Sequence, residues 1–328
     1  MARIFEALFT CHAPAAGKRL WTFLAALFFL ILAVSQSIAG LPASSAAHPA
    51  TPPHEHCIRI ATWNLHDCSA TDQKTGEVML FHSLIARALR DQKIDIIALQ
   101  EVQVEGRKGA DIMLLQRALE TAGWPMPHAA WAKSPQSDDL AILSRFPILA
   151  SAAELNPSSA PWPRPVLYAR IAIDARTLDL YTAHFKAFQD AKSLEARKSQ
   201  ARALAALLKS RYGTNIVQAA VILAGDFNTI IPEDMEARTG TLALLELKDD
   251  SDPSNDFQSA NLKWKYLEPT YLSRQYASVT DHIVLSPLLA ALAGSDSIEL
   301  IDPPDSGFGF PISDHRLLVL CLPRSAFR

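Results

Sequence analysis

Apolar residues fall into short dense runs alternating with stretches of helical periodicity, and the two patterns predict different elements. "CIRIATWNL" (57–65) reads as a strand, and Phe81, Leu84, Ile85, Ala88 and Leu89 then recur at helical spacing. "IDIIALQ" (94–100) is a second strand, and the helical stretch Ile112–Ala122 stops at Gly123. "LAILSR" (140–145) follows, then "VLYARIAI" (166–173) and "LDLYTAHF" (178–185), joined through "DAR" as a hairpin. A long helix is expected over about 190–211, with Leu194, Ala201, Leu204, Leu207 and Leu208 inward. Arg197, Lys198, Arg202 and Lys209 would face outward, a basic face that reads first as solvated. "AAVILAGDFN" (219–228) is a strand ending in a turn, and "SVTDHIVL" (278–285) and "SDHRLLVLCL" (313–322) are the last apolar runs.

Strands interspersed with helices, plus a hairpin, indicate a mixed α/β sheet system without solenoid repeats. The lack of a G-x-G-x-x-G argues against a dinucleotide fold. The irregular stretches 230–270 and 295–312 are long enough to shape a substrate site.

The N-terminus follows a different pattern. Lys18 and Arg19 precede the apolar run Leu20–Val34, and small residues follow at Ser37 and Ala39. This is the layout of a secretory signal peptide, and the run is short of the roughly 20 residues that span a bilayer. Residues 1–39 are therefore expected to be a cleaved export signal, with a retained membrane anchor as the alternative. Residues 40–56, rich in Pro, Ala and Ser, read as a flexible leader, and one folded domain occupies 57–328. Four cysteines without a C-x-x-C pair give neither a zinc motif nor a disulfide scaffold. A net charge of −3 gives no global basic character, although a local basic groove stays open.

The chemistry lies where the apolar runs stop. Asn64, Glu101, His184 and the pair Asp226 and Asn228 end their strands, whereas Asp281 and Asp314–His315 precede theirs. If the last strands run antiparallel to the first, all of these side chains share one rim. Singly each has a plain reading as a turn cap, a solvated strand end or a satisfied imidazole. Two imidazoles, two amides and several carboxylates at matching strand ends are hard to assign to turn chemistry alone.

The strings "TWNL", "LQEV", "LSRFP", "AHFK", "GDFN", "TDHI" and "SDH", in that order over about 58–322, resemble the endonuclease/exonuclease/phosphatase superfamily. That group includes deoxyribonucleases, apurinic endonucleases, neutral sphingomyelinases and inositol-phosphate phosphatases. The resemblance implies a four-layer α/β/β/α sandwich with two mixed β-sheets. It also implies a hard divalent cation, Mg²⁺ first and Mn²⁺ or Ca²⁺ otherwise, on Glu101 with Asn64 and Asp314. By the same resemblance Asp226 and Asn228 orient water and phosphate, and His315 is a general base held by Asp281. His184 serves the other side of the phosphate, oriented by Asp138, with Asp139 adjacent. Apurinic endonucleases instead give the base role to the residue matching Asp226.

Family topology pairs the first and last strands antiparallel. Setting Asn64 opposite Asp314 puts Cys57 opposite Cys321, so a cross-strand disulfide is expected in an oxidising compartment. The favoured substrate is nucleic acid, with Lys186 near the phosphate and Trp264, Lys265 and Tyr266 as a basic-aromatic patch. A sphingomyelinase-type lipid phosphodiesterase is the alternative, with "SGFGF" (306–310) as a contact loop. A phosphomonoesterase and a non-catalytic binding module of the same fold complete the set.

Overall fold

The structure, a computed structural model, describes residues 56–71, 78–104, 111–134, 138–154, 164–235, 239–248, 250–264, 268–273 and 277–328. The expected export signal, all of the leader but His56, and Lys265 and Tyr266 lie outside these residues, as does the side chain of Trp264. No helix among the described residues is long and apolar enough to cross a membrane.

Among the described residues two six-stranded sheets carry the fold. The first orders its strands Ile298–Ile301, Leu317–Pro323, Cys57–Asn64, Ile96–Val102, Asp139–Ser144, His128–Ala132. The second runs Gln258–Ser259, Asp281–Leu285, Val221–Asp226, Arg176–Ala183, Val166–Ile173, Ile148–Glu154. Both are mixed. Cys57–Asn64 is parallel to Ile96–Val102 and antiparallel to Leu317–Pro323. Val221–Asp226 is parallel to Arg176–Ala183 and antiparallel to Asp281–Leu285.

The central strands are buried on both faces, which is why they read as continuous apolar runs rather than as alternations. Ile60, Ala98 and Ile142 of the first sheet share one core with Leu167, Leu180, Ile222 and Ile283 of the second. Each such leucine or isoleucine contributes about 1.5–3 kcal/mol on burial, so face-to-face stacking of the sheets dominates the fold. The helices His82–Asp91 and Asp111–Thr121 cover the outer face of the first sheet. Ala191–Tyr212 covers that of the second. The result is the expected four-layer sandwich.

Three details depart from expectation. The register of the first and last strands is displaced by two residues: Cys57 faces Pro323 and Arg59 faces Cys321. A slip of two keeps each side chain on its own face, and Cys57 still bonds Cys321 across the diagonal, with Cα atoms 5.6 Å apart. Arg197 is not on a solvated face. It is fully buried, its guanidinium forked onto Asp234 at 3.0 and 2.7 Å, with Nη1 donating to the carbonyls of Lys186 and Phe188. Lastly, the strands His128–Ala132, Ile148–Glu154 and Ile298–Ile301 had no clear apolar signal.

Candidate active site at the mouth between the two sheets

The strand ends converge on one cavity of about 610 Å³, lined among others by Glu101, Arg164, His184, Asp226, Asp314 and His315. Local backbone chemistry aims each group. The ladder between Ile96–Val102 and Asp139–Ser144 shifts register between Gln100 and Val102, and Glu101 sits in that bulge at φ 52°. A bulge re-aims a side chain that regular alternation would direct elsewhere, and a non-glycine residue in left-handed conformation is a common mark of a functional site.

Asp226 lies opposite Asp281 in the antiparallel ladder and bridges His184 in the parallel direction. Gly225 allows that closeness: a Cβ there would come within 2.2 Å of the Ala183 carbonyl oxygen. The turn after the strand is closed by Asn228, at φ 50°, whose N–H donates to Asp226 Oδ1 at 3.0 Å and whose amide donates to the Phe185 carbonyl at 3.1 Å. The "GDFN" turn thus immobilises its own carboxylate.

Asp226 Oδ2 is the hub. Asn64 Nδ2 donates to it at 3.1 Å and to Glu101 Oε1 at 2.9 Å. His184 Nε2 is 3.5 Å from Asp226 Oδ2 and 3.8 Å from Glu101 Oε1. His315 Nε2 is 3.8 Å from Asp226 Oδ2 and 3.9 Å from Asp314 Oδ1, while its Nδ1 contacts Asp281 Oδ2 at 2.8 Å. Asp281 is held in turn by the hydroxyl of Thr280 and by its own N–H on Thr270 Oγ1. Behind the cavity, Gln100 Nε2 donates to Thr62 and Thr182 hydroxyls, pinning one sheet to the other.

The electrostatics follow from burial. Burial, then the negative charge of Asp281, pushes the Asp226 carboxyl up to about 7, against the pull of His315, Asn64 and the Asn228 N–H. Burial alone would depress His315, but Asp281, Asp226 and Asp314 outweigh it and push the imidazole up to about 10. Burial, together with the charges of Arg164 and His315, holds His184 well below the ordinary histidine range. His184 is therefore a neutral ring and His315 a cationic one.

Asn64, Glu101, His184, Asp226, Asn228, Asp281, Asp314 and His315 all meet at this mouth. Asp138 does not take the expected position. It is ion-paired with Arg164, and His184 Nδ1 is buried without a hydrogen-bond partner among the described residues. Asp139 caps the N–H groups of Val104 and Ser134 instead. Arg164, which also donates to the Phe185 carbonyl, was missed because it lies in a Pro-rich loop without periodicity. Tyr271, its ring centroid 4.9 Å from that of His315 and tilted 59° to it, was missed because its strand, Tyr271–Leu272, is too short to show a pattern. Lys186 does not point a free ammonium at the hub; it lies 4.6 Å over the ring of Phe188, an exposed side chain on the cavity lip.

Residues 61–315, well over half of the 328, match the sequence profile described as "Endonuclease/Exonuclease/phosphatase family". The chain belongs to that family. Its members are phosphoester hydrolases, nucleases and phosphatases among them. No curated protein sequence matches the chain. Among solved structures, humanized D. rerio TDP2 is 19% identical with a TM-score of 0.57, the alignment covering 81% of this chain and 98% of that one. An AP endonuclease from Archaeoglobus fulgidus is 19% identical at TM-score 0.57, covering 81% and 99%. A variant of the 3' phosphatase NExo from Neisseria, bound to product DNA hairpin, is 17% identical at TM-score 0.56, covering 80% and 98%. At these identities the likeness is one of fold.

The family's divalent metal has a fitting donor set here. Glu101, Asp226 and Asp314 place three carboxylates on the cavity wall, with Asp281 buried behind His315, and Asp314 Oδ1 is buried with no hydrogen-bond partner among the described residues. Oxygen donors of this kind suit a hard cation. Glu101 and Asp314, with the Asn64 carboxamide beside them, are the residues that would hold it.

Proposed function

We propose that the protein is an exported, Mg²⁺-dependent phosphodiesterase whose substrate is nucleic acid. The observation that carries the reading is the convergence of Glu101, Asp226 and His315 on one open cavity from two different sheets. A divalent cation, Mg²⁺ or alternatively Mn²⁺ or Ca²⁺, would neutralise charge developing on the non-bridging phosphoryl oxygens.

The side chains supply the rest. Asp226, its carboxyl near 7, is poised to accept the proton of an attacking water at Oδ2, and Asn228 keeps it oriented. His315, kept cationic by Asp281, presents Nε2–H to the phosphoryl oxygens; His184, neutral, donates from Nε2 on the other flank. This favours Asp226 over His315 as the base. The hydrolysis leaves a phosphomonoester and an alcohol.

Nucleic acid is favoured by the exposed Phe188 ring on the lip with the Lys186 ammonium over it, a pairing suited to a stacked base beside its phosphate. The D. rerio TDP2 structure complexed with single strand DNA product and the NExo complex with product DNA hairpin support that choice by fold. Export is supported by the leader pattern and by the Cys57–Cys321 disulfide.

The test is a release assay with single-stranded DNA, duplex DNA, RNA, sphingomyelin and a simple phosphomonoester, each with Mg²⁺ and with EDTA. Cleavage of nucleic acid with Mg²⁺ and not with EDTA is expected. Hydrolysis of sphingomyelin alone, or of the monoester alone, overturns the substrate assignment; hydrolysis of nothing points to a binding module.

A further inference from the structure

A second cluster of metal-ligand side chains lies away from the catalytic hub. Cys68 Sγ, a ring nitrogen of His82 and a carboxylate oxygen of Asp111 all lie within 4.8 Å of one another, and all three residues are buried. Each comes from a different piece of chain. Cys68 ends the turn after the first strand, and His82 and Asp111 open the helices His82–Asp91 and Asp111–Thr121. His82 Nε2 contacts Asp111 Oδ1 at 3.0 Å, and Asp111 Oδ2 accepts from the Gln103 N–H, which fixes the carboxylate.

We propose that Cys68, His82 and Asp111 form a binding site for a borderline-soft divalent cation of the Zn²⁺ class, distinct from the hard-cation site of the hub. The donor chemistry carries the choice. Thiolate, imidazole and carboxylate are the ligands Zn²⁺ takes, whereas Mg²⁺ prefers oxygen alone. Charge decides the valence: a thiolate, a carboxylate and a neutral imidazole around a divalent ion sum to zero, which a buried site requires. Tetrahedral Zn²⁺ separates its ligand atoms by about 3.5 Å, between the 3.0 Å of His82 Nε2 to Asp111 Oδ1 and the 4.8 Å within which all three ligand atoms lie.

Two other readings of Cys68 lack support among the described residues. As a nucleophile Cys68 is disqualified by its burial, and burial together with Asp111 and Asp67 pushes its thiol well above the ordinary range. As half of a disulfide it has no mate among the described residues, because Cys57 and Cys321 are bonded to each other.

The site would act as a brace. His66, Asp67 and Cys68 sit consecutively at φ 45°, 63° and 52°, a left-handed turn that non-glycine residues adopt only under strain. That turn hangs on the catalytic strand end, since the His66 N–H donates to Asn64 Oδ1 at 3.0 Å. A cation on Cys68 would fix the turn from its far end.

The test uses the full chain carrying Cys11→Ser, which leaves Cys68 as the one thiol outside the disulfide. After chelation, Co²⁺ is titrated in as a spectroscopic stand-in. One equivalent should give a thiolate-to-cobalt charge-transfer band that Zn²⁺ abolishes and Mg²⁺ does not. The band should vanish in Cys68→Ser, weaken in His82→Gln and persist in Glu101→Gln, which alters only the hub. Zn²⁺ should raise the melting temperature of Glu101→Gln but not of Cys68→Ser. A folded protein showing no band, or one retaining it in Cys68→Ser, overturns the proposal. Because the readout is spectroscopic, it stands whether or not the hydrolase reading holds.

Discussion

Asp226 and His315 face each other across 3.8 Å, the first carboxyl raised to about 7 and the second ring to about 10. If Asp226 must be ionised and His315 protonated, kcat/KM rises with pH through about 7 and falls through about 10. Asp226→Asn should cost roughly 10²–10⁴-fold and remove the rising limb; a rising limb left in place would return the base role to His315. A second titration is structural. His282 is fully buried and neutral, bonded through Nε2 to Thr229 and through Nδ1 to Ser259, and burial lowers it from 6.5 to about 4. The unfolded chain then binds the extra proton between those values, so this contribution is complete above 6.5 and drains away as pH falls toward 4. By pH 5 the loss is about 2 kcal/mol. Urea unfolding at pH 7.5 and 5 should show a smaller loss in His282→Gln than in the parent; equal losses would refute the assignment. The residues of the hub were legible because polar groups interrupt apolar runs at strand ends. Asp138 misled because its partner Arg164 is unmarked in sequence.

At the scale of elements, sequence pattern locates strands but not their register. The first strand is buried on both faces, so nothing in its composition distinguishes a pairing from one shifted by two. The Glu101 bulge is invisible for the same reason. The exposed edge strand Ile148–Glu154, "ILASAAE", is mostly alanine and serine and carries too little hydrophobicity to announce itself. Arg197 reads as a surface residue because its partner, Asp234, is far along the chain. That pair fastens the long helix to the segment after the "GDFN" turn and, through the Lys186 and Phe188 carbonyls, the cavity lip. Arg197→Met should destabilise by about 3–5 kcal/mol by stranding a buried carboxylate. Arg197→Met combined with Asp234→Asn should recover part of that in chemical denaturation. A single variant costing under about 1 kcal/mol would mean the pair behaves as an exposed one.

On the scale of the whole molecule, the sheets are stacked by an apolar core and pinned to each other by Gln100 and Thr182, while Cys57–Cys321 ties two neighbouring strands within the first sheet. Each sheet alone presents an incomplete set: Glu101 and Asn64 end strands of one, Asp226 and His184 lie at strand ends of the other. The proposed hydrolysis therefore needs both halves. The most direct measurement is the rate of phosphodiester hydrolysis in Mg²⁺ by folded Glu101→Gln and Asp226→Asn, one from each sheet. Both should fall by at least roughly 10²-fold while circular dichroism stays unchanged. Parental turnover in either variant would contradict the account.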